Sequence, residues 1–204
     1  MGNPALDALG FIVGTLLNLY AMVVALRFVM QAVRADYYNP IAQFVVKATD
    51  PLLVPLRRLI PSVSGYDTAS LVLVWAILFA KLLAFANLGL GPAPAIGRAL
   101  PLGAAGIDVG VLTMLALSFV DLVYLMFNIF IFSLFIQALL SWLPNAGQSP
   151  VAGLLQGITR PVLTPIRRFV PPMGGLDLSS LVAIIGLFAL RTFVVGVLWQ
   201  LVVG

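Results

Sequence analysis

The chain has 204 residues, of which 62% are hydrophobic and 9% charged. A water-soluble domain carries about 25% charged and 45–50% apolar residues, so a fold of this size has no interior large enough for these side chains, and part of its solvent is lipid. With no cysteine and no histidine the chain forms no disulfide, offers no thiolate or imidazole for catalysis, and lacks the usual zinc and haem ligands; its net charge of +4 is thinly spread and points to membrane loops or anionic headgroups, not to nucleic acid.

Taken in chain order, the amino terminus does not read as a cleavable signal. No basic stretch precedes the apolar run, Asp7 stands before it, and the run is too long. No lipidation motif is present. A bilayer crossing takes about 20 mostly apolar residues. Four stretches qualify: Leu9–Val33, Ala69–Leu90, one within Val111–Trp142, and Leu178–Val203. The third is over-long. Either it is tilted, or residues 107–117 lie along the interface and Asp121 marks where the crossing begins.

The polar stretches between the crossings reveal a duplication. With the sequence shifted by 110 residues, TDPLLVPLRRLIPSVSGYDTASL (Thr49–Leu71) lies on TRPVLTPIRRFVPPMGGLDLSSL (Thr159–Leu181), with 11 identities in 23 positions. The register extends outward to Asn18/Asn128, Pro40/Pro150 and the cations Lys81/Arg191. Each unit is helix, polar loop, helix, so the second copy starts on the side where the first one started. The expected architecture is therefore all-α, with four transmembrane helices in two tandem, same-orientation repeats. The first repeat is assigned to residues 1–95, a non-cytoplasmic linker to 96–110 and the second repeat to 111–204. Lys and Arg concentrate in the two repeat loops (Arg34, Lys47, Arg57, Arg58; Arg160, Arg167, Arg168), against Arg98 alone on the other side. The positive-inside rule then places both loops in the cytoplasm and both termini in the periplasm of a bacterial inner membrane.

Within each loop, Pro51 is expected to open a helical turn capped by Thr49 or Asp50, Pro55 to break it and Pro61 to stop it. The result would be short, kinked amphipathic turns with Leu52, Leu53, Leu56, Leu59 and Ile60 in the interface and Arg57 and Arg58 facing outward. Val162, Leu163, Ile166, Phe169 and Val170 would do the same beneath Arg167 and Arg168. These four arginines are candidates for binding anionic lipid or a partner protein, or serve only as topological anchors.

The doubled pattern P-x-L-x-P-h-R-R-h-h-P followed by G-x-D-x-S-x-L, with h apolar, resembles the YggT family, called YlmG in other lineages. The stretch YNPIAQFVVKATDPLLVPLRRLIP is similar to its two-repeat proteobacterial branch. The second copy departs from the first at Arg160 in place of Asp50, and at Pro172-Met173-Gly174 in place of Ser62-Val63-Ser64. The resemblance implies an envelope or division-associated membrane protein, with links in some members to osmotic tolerance and ion (potassium) balance and, in plastid relatives, to cytochrome assembly. It implies no catalytic reaction.

The remaining polar residues divide by position. Asp67 and Asp177 precede the second and fourth crossings with Ser70 and Ser180 three residues on. They are candidate helix caps, paired with the nearby arginines, or else ion-coordinating carboxylates. Lys81, Asp121 and Arg191 are ionisable groups inside apolar runs, and Asn18 and Asn128 are their polar neighbours in the first and third crossings. Lys81 and Arg191 lie about 16 Å into their helices at 1.5 Å per residue. They either snorkel to the outer headgroups or face each other across the repeat axis. In the second case Asp121 pairs with one of them, and a joint exchange of the two charges should be tolerated. Arg27 is near a helix end and expected to snorkel. Gly10-x-x-x-Gly14 is a small-residue pair suited to close helix contact. No P-loop, nucleophile elbow, dinucleotide fingerprint, metal spacing or cofactor motif is found. The expectation is a non-enzymatic scaffold or envelope-homeostasis factor, able to form a homo-oligomer. A small ion channel or transporter is the alternative.

Overall fold

The computed structural model describes residues 4–63, 65–88, 90, 93–100, 110–141, 147, 149–169 and 178–203. Among these the elements are α1 (Pro4–Ala32), α2 (Pro40–Leu59), α3 (Thr68–Leu88), β1 (Ala93–Ala95), β2 (Arg98–Leu100), α4 (Val111–Leu140), α5 (Pro150–Ile166) and α6 (Leu178–Val203). Helices α1, α3, α4 and α6 are long and apolar enough to span a bilayer. All four are hydrophobic round their whole circumference, as helices in a lipid solvent are. Of residues 107–117, left open between interface and crossing, 111–117 belong to α4, and 107–109 lie outside the described residues. Helix α4 holds the bundle together, packing on α3 and α6, with α1 against α3. The largest core cluster joins Ala21, Val24 and Ala25 of α1 to Ala42, Val45 and Leu53 of α2, Val74 and Leu78 of α3, and Leu122 and Ile129 of α4.

The loop helices are longer and more regular than the prolines suggest. Helix α2 begins at Pro40, with the Asn39 side chain accepting from Ile41 N at 2.9 Å; α5 begins at Pro150, with Ser149 accepting from Ala152 N at 3.2 Å. Proline at the first turn costs no hydrogen bond. Both helices then run through their inner prolines, Pro51 and Pro55 in one and Pro161 and Pro165 in the other. This corrects the expected break. Prolines four apart share one face, and in both helices that face is the exposed one. The missing N–H groups therefore fall on the outer side. The inner side (Ala42, Val45, Thr49 and Leu53 in α2) stays buried, and that burial outweighs the loss. Helices α2 and α5 touch each other, so both polar loops lie at one end of the bundle.

At the opposite end the chain does something the apolar pattern does not announce. After α3 it turns back as a hairpin, β1 pairing antiparallel with β2 through Ala93–Leu100, Pro94–Ala99 and Ala95–Arg98. Ile96 and Gly97 form the turn with φ of 55° and 67°, the left-handed pair that a two-residue hairpin requires. Ala93, Ala95, Ile96 and Leu100 are buried with Leu82, Phe85, Leu117 and Val120. Pro94 O meets Lys81 Nζ at 2.7 Å, and Lys81 lies two turns before the end of α3, so the hairpin descends about 10 Å beside that helix. Non-helical backbone at such depth is stable where protein surrounds it. The glycine pair of α1 makes the room: a Cβ on Gly10 would come within 2.0 Å of Leu90 O, and one on Gly14 within 2.7 Å of Pro94 Cγ. Gly10-x-x-x-Gly14 thus admits the returning chain.

Candidate functional site

Three polar joints hold each repeat together, and each occurs twice. The first ties the first crossing to the loop helix. Arg27 on α1 is 5% exposed; its Nη1 donates to Thr49 Oγ1 at 2.6 Å, Asp50 Oδ1 at 2.7 Å and Val46 O at 3.0 Å. It is a buried cation paired with a partly exposed carboxylate, Asp50 being 41% exposed, and not a snorkelling cation. Buried charges persist where partners and hydrogen bonds replace water. In the second repeat Gln137 stands at the position of Arg27 and bonds Thr159, the equivalent of Thr49. The change of Asp50 to Arg160 now has a reason. With the inner cation replaced by a neutral amide, an acid there would have no partner, and Arg160 is turned outward.

The second joint ties the loop helix to the second crossing. Arg57 pairs with Asp67, and Asp67 also accepts from Ser70 N at 3.4 Å while Ser70 Oγ donates to Asp67 O at 2.8 Å. Burial pushes the Asp67 carboxyl up, but the hydrogen bond and charge of Arg57 with the bonds from Ser70 prevail and hold it below its ordinary value; the same bond raises Arg57. Arg57 thus pairs with Asp67, as expected of the nearby arginines, while its own side chain stays 38% exposed, and Arg58 beside it is exposed as well. In the second repeat Arg167 Nε donates to Ser179 Oγ at 3.4 Å, Ser180 is buried beside it and Arg168 is exposed. Asp177 lies outside the described residues.

The third joint ties the two crossings. Lys81 Nζ donates to Asn18 Oδ1 at 2.8 Å, and Arg191 Nη1 to Asn128 Oδ1 at 2.6 Å. Here the symmetry breaks. Lys81 is 0% exposed and takes a carboxylate from the other repeat, Asp121 Oδ2 at 2.7 Å, plus Pro94 O. Asp121 Oδ1 accepts from Ile96 N at 2.8 Å. The position equivalent to Asp121 in the first repeat is Phe11. Arg191 instead lies over the rings of Tyr124 and Phe188, 4.9 and 4.4 Å from their centroids. The two cations do not face one another, and Lys81 does not snorkel. Of the sequence candidates, the structure brings together Asn18, Lys81, Asp121 and Asn128 around a cavity of about 540 Å³ between α1 and α4, also lined by Thr15, Pro94 and Tyr124. It leaves Arg57, Arg58, Arg167 and Arg168 at the far end. Sequence reasoning missed the hairpin backbone (Pro94 O and Ile96 N), for which the only signal was the unmatched demand of a buried ammonium.

A model of the family described as CCB3/YggT matches residues 6–88 and 116–198. The two matched segments are offset by the same 110 residues as the internal repeat, and the hairpin falls between them. An uncharacterized protein of Vibrio alginolyticus is 36% identical over 95% of this chain and 98% of its own length. One from Pseudomonas aeruginosa is 40% identical over 87% of this chain and 83% of its own. The uncharacterized protein YggT of Escherichia coli K12 is 34% identical over 95% and 92%. No solved structure matches. A family match across both halves, together with relatives covering nearly the whole chain, makes this protein a two-repeat, multi-pass membrane member of the CCB3/YggT family.

Proposed function

We propose that the protein is a non-enzymatic scaffold of the inner membrane whose α2–α5 layer docks on anionic headgroups at the cytoplasmic face, as an assembly or envelope-homeostasis factor. The observation that carries this is the side-by-side placement of two amphipathic helices at one end. Their outer faces present Lys47, Arg58, Arg160 and Arg168 beside exposed Phe44, Leu52, Leu59 and Phe169. Apolar side chains entering the headgroup layer with cations beside them is the pattern of an interfacial helix. Each cation near an anionic surface contributes about 1 kcal/mol. The test is native mass spectrometry of the detergent-purified protein. Lys47→Gln/Arg58→Gln/Arg160→Gln/Arg168→Gln should lose retained phosphatidylglycerol and cardiolipin by at least about tenfold. Unchanged lipid retention with loss of a crosslinked protein would move the surface to a protein partner. No change in either would end the reading. The absence of cysteine allows a matching topology test: Tyr38→Cys, 90% exposed in the native residue, should be labelled only from the cytoplasmic side.

The conductor reading draws support from the cavity that Asn18, Asp121 and Asn128 line. Against it stands the saturation of Lys81, whose three N–H bonds have three acceptors. A conducting site binds weakly enough to release its ion. Potassium and sodium flux through proteoliposomes, altered by Lys81→Ala or Arg191→Ala, would reverse that judgement.

A further inference from the structure

The carboxamides of Asn18 and Asn128 are oriented by cations. Each Oδ1 accepts from its own repeat's cation, Lys81 or Arg191. A carboxamide whose oxygen is so fixed turns its NH2, with two donors, the other way. Both asparagines line the same cavity between α1 and α4. No buried side-chain nitrogen or oxygen among the described residues lacks a partner, so these NH2 groups are not sealed in protein; they face the cavity. Asp121, the carboxylate on the wall, has both oxygens engaged, by Lys81 Nζ and Ile96 N.

The charge count points the same way. Lys81 and Asp121 cancel. Arg191 forms no ion pair among the described residues; its contacts are an amide oxygen and two ring faces. It lines a smaller cavity of about 150 Å³ with Thr192 and Trp199, and that cavity shares Ile96 and Tyr124 with the larger one. A cation held within an apolar span without a counter-charge is costly. We infer that the chain holds one monovalent anion at this place, accepting from the Asn18 and Asn128 NH2 groups and neutralising Arg191. The anion is either a free inorganic ion or the phosphodiester of a lipid. The cavity is large enough for both, at about 30 Å³ per water-sized group. Leu19 and Met22 on its rim are exposed on α1, which gives lipid a lateral way in. The site is independent of the α2–α5 docking surface, and either can fail alone.

The test is thermal unfolding of the full chain in a neutral detergent at constant ionic strength, with gluconate as background anion. Sodium bromide is titrated in one arm and dihexanoyl phosphatidylglycerol in another, with dihexanoyl phosphatidylcholine as the surfactant control. The expected result is a saturable rise of about 3–5 °C at ten times the dissociation constant. A rise with bromide identifies a free ion, and a rise with phosphatidylglycerol alone identifies a lipid. Asn128→Asp places a carboxylate on Arg191 and should abolish the response. Arg191→Gln should abolish it too, and serves if the first variant does not fold. The inference is overturned if neither probe exceeds its control, or if both variants respond like the native chain.

Discussion

Replacing Asp121 with Asn changes one atom and leaves the Lys81 ammonium buried without its carboxylate. Lys81 is 0% exposed and the bond it loses is 2.7 Å long. Removing one partner of a buried pair costs about 3–5 kcal/mol. Because Asn still offers an oxygen to Ile96 N, the lower end applies, about 3 kcal/mol. At about 2–4 °C per kcal/mol for a chain of this size, the unfolding midpoint should fall by about 6–12 °C. Lys81→Met should cost a similar amount by stranding the carboxylate. The double variant Lys81→Met/Asp121→Asn removes both charges and should recover most of the loss, giving a coupling of about 2 kcal/mol or more. Melting of the detergent-purified proteins by intrinsic fluorescence measures all four corners of the cycle. Losses that simply add, or an Asp121→Asn midpoint within about 1 °C of native, would refute the reasoning. The structure also changes one expectation from the sequence. Exchanging the two charges should not restore stability, because a carboxylate at position 81 would face Pro94 O and Asn18 Oδ1.

Three further outcomes are expected. Gly10→Ala drives a Cβ to 2.0 Å from the Leu90 carbonyl, so backbone must move, and a loss of about 1–3 kcal/mol should appear in the same melting assay. Gly97→Ala meets the Tyr124 hydroxyl at 2.4 Å and its ring carbon Cζ at 2.9 Å and forces a side chain onto φ +67°; adding Tyr124→Ala, which removes the ring, should relieve the clash and leave the backbone strain, about 1–2 kcal/mol. Asp67 has a folded-state pKa below its ordinary 3.8. Its stabilising contribution is therefore complete above that value and is lost as pH falls below it toward the folded-state pKa. Melting temperature should drop more steeply with acid below pH 3.8 in the native chain than in Asp67→Asn, and parallel curves would dismiss the Arg57–Asp67 joint as a stabilising pair.

The crossings were legible because lipid imposes one strong constraint, length of apolar run, and α1, α3, α4 and α6 satisfy it with ends shifted by a few residues. The duplication was legible because the loops keep their special residues in register. Pairing of Asp121 with a cation was legible from cost alone, since a charge in an apolar span needs a counter-charge. The continuity of α2 through Pro51 and Pro55 was not. Proline rules describe local hydrogen bonds, whereas burial of Thr49 and Leu53 is a tertiary gain that local rules do not count. The hairpin at Ala93–Leu100 was hidden for a related reason. Its groups in contact with the site are backbone atoms, Pro94 O and Ile96 N, which every residue type carries. Arg27 looked like a cation near a membrane boundary, and only the fold shows α2 lying across it.

The reach of Lys81 into the other repeat sets an order on biosynthesis. Asp121 follows Lys81 by 40 residues, so a nascent chain delivers α3 to the bilayer before the carboxylate can join it there. At that moment the ammonium has Asn18 from its own repeat, and the hairpin is next to emerge. A mid-helix cation carries an insertion penalty of about 2.5–3.5 kcal/mol, which the arrival of α4 cancels. We expect a chain truncated after residue 110 to insert less completely than its Lys81→Leu counterpart in pulse-labelled membranes, and equal insertion would remove the idea. The halves of this duplicated protein are then not interchangeable: the later one acts as an insertion partner for the earlier, and the dependence runs one way.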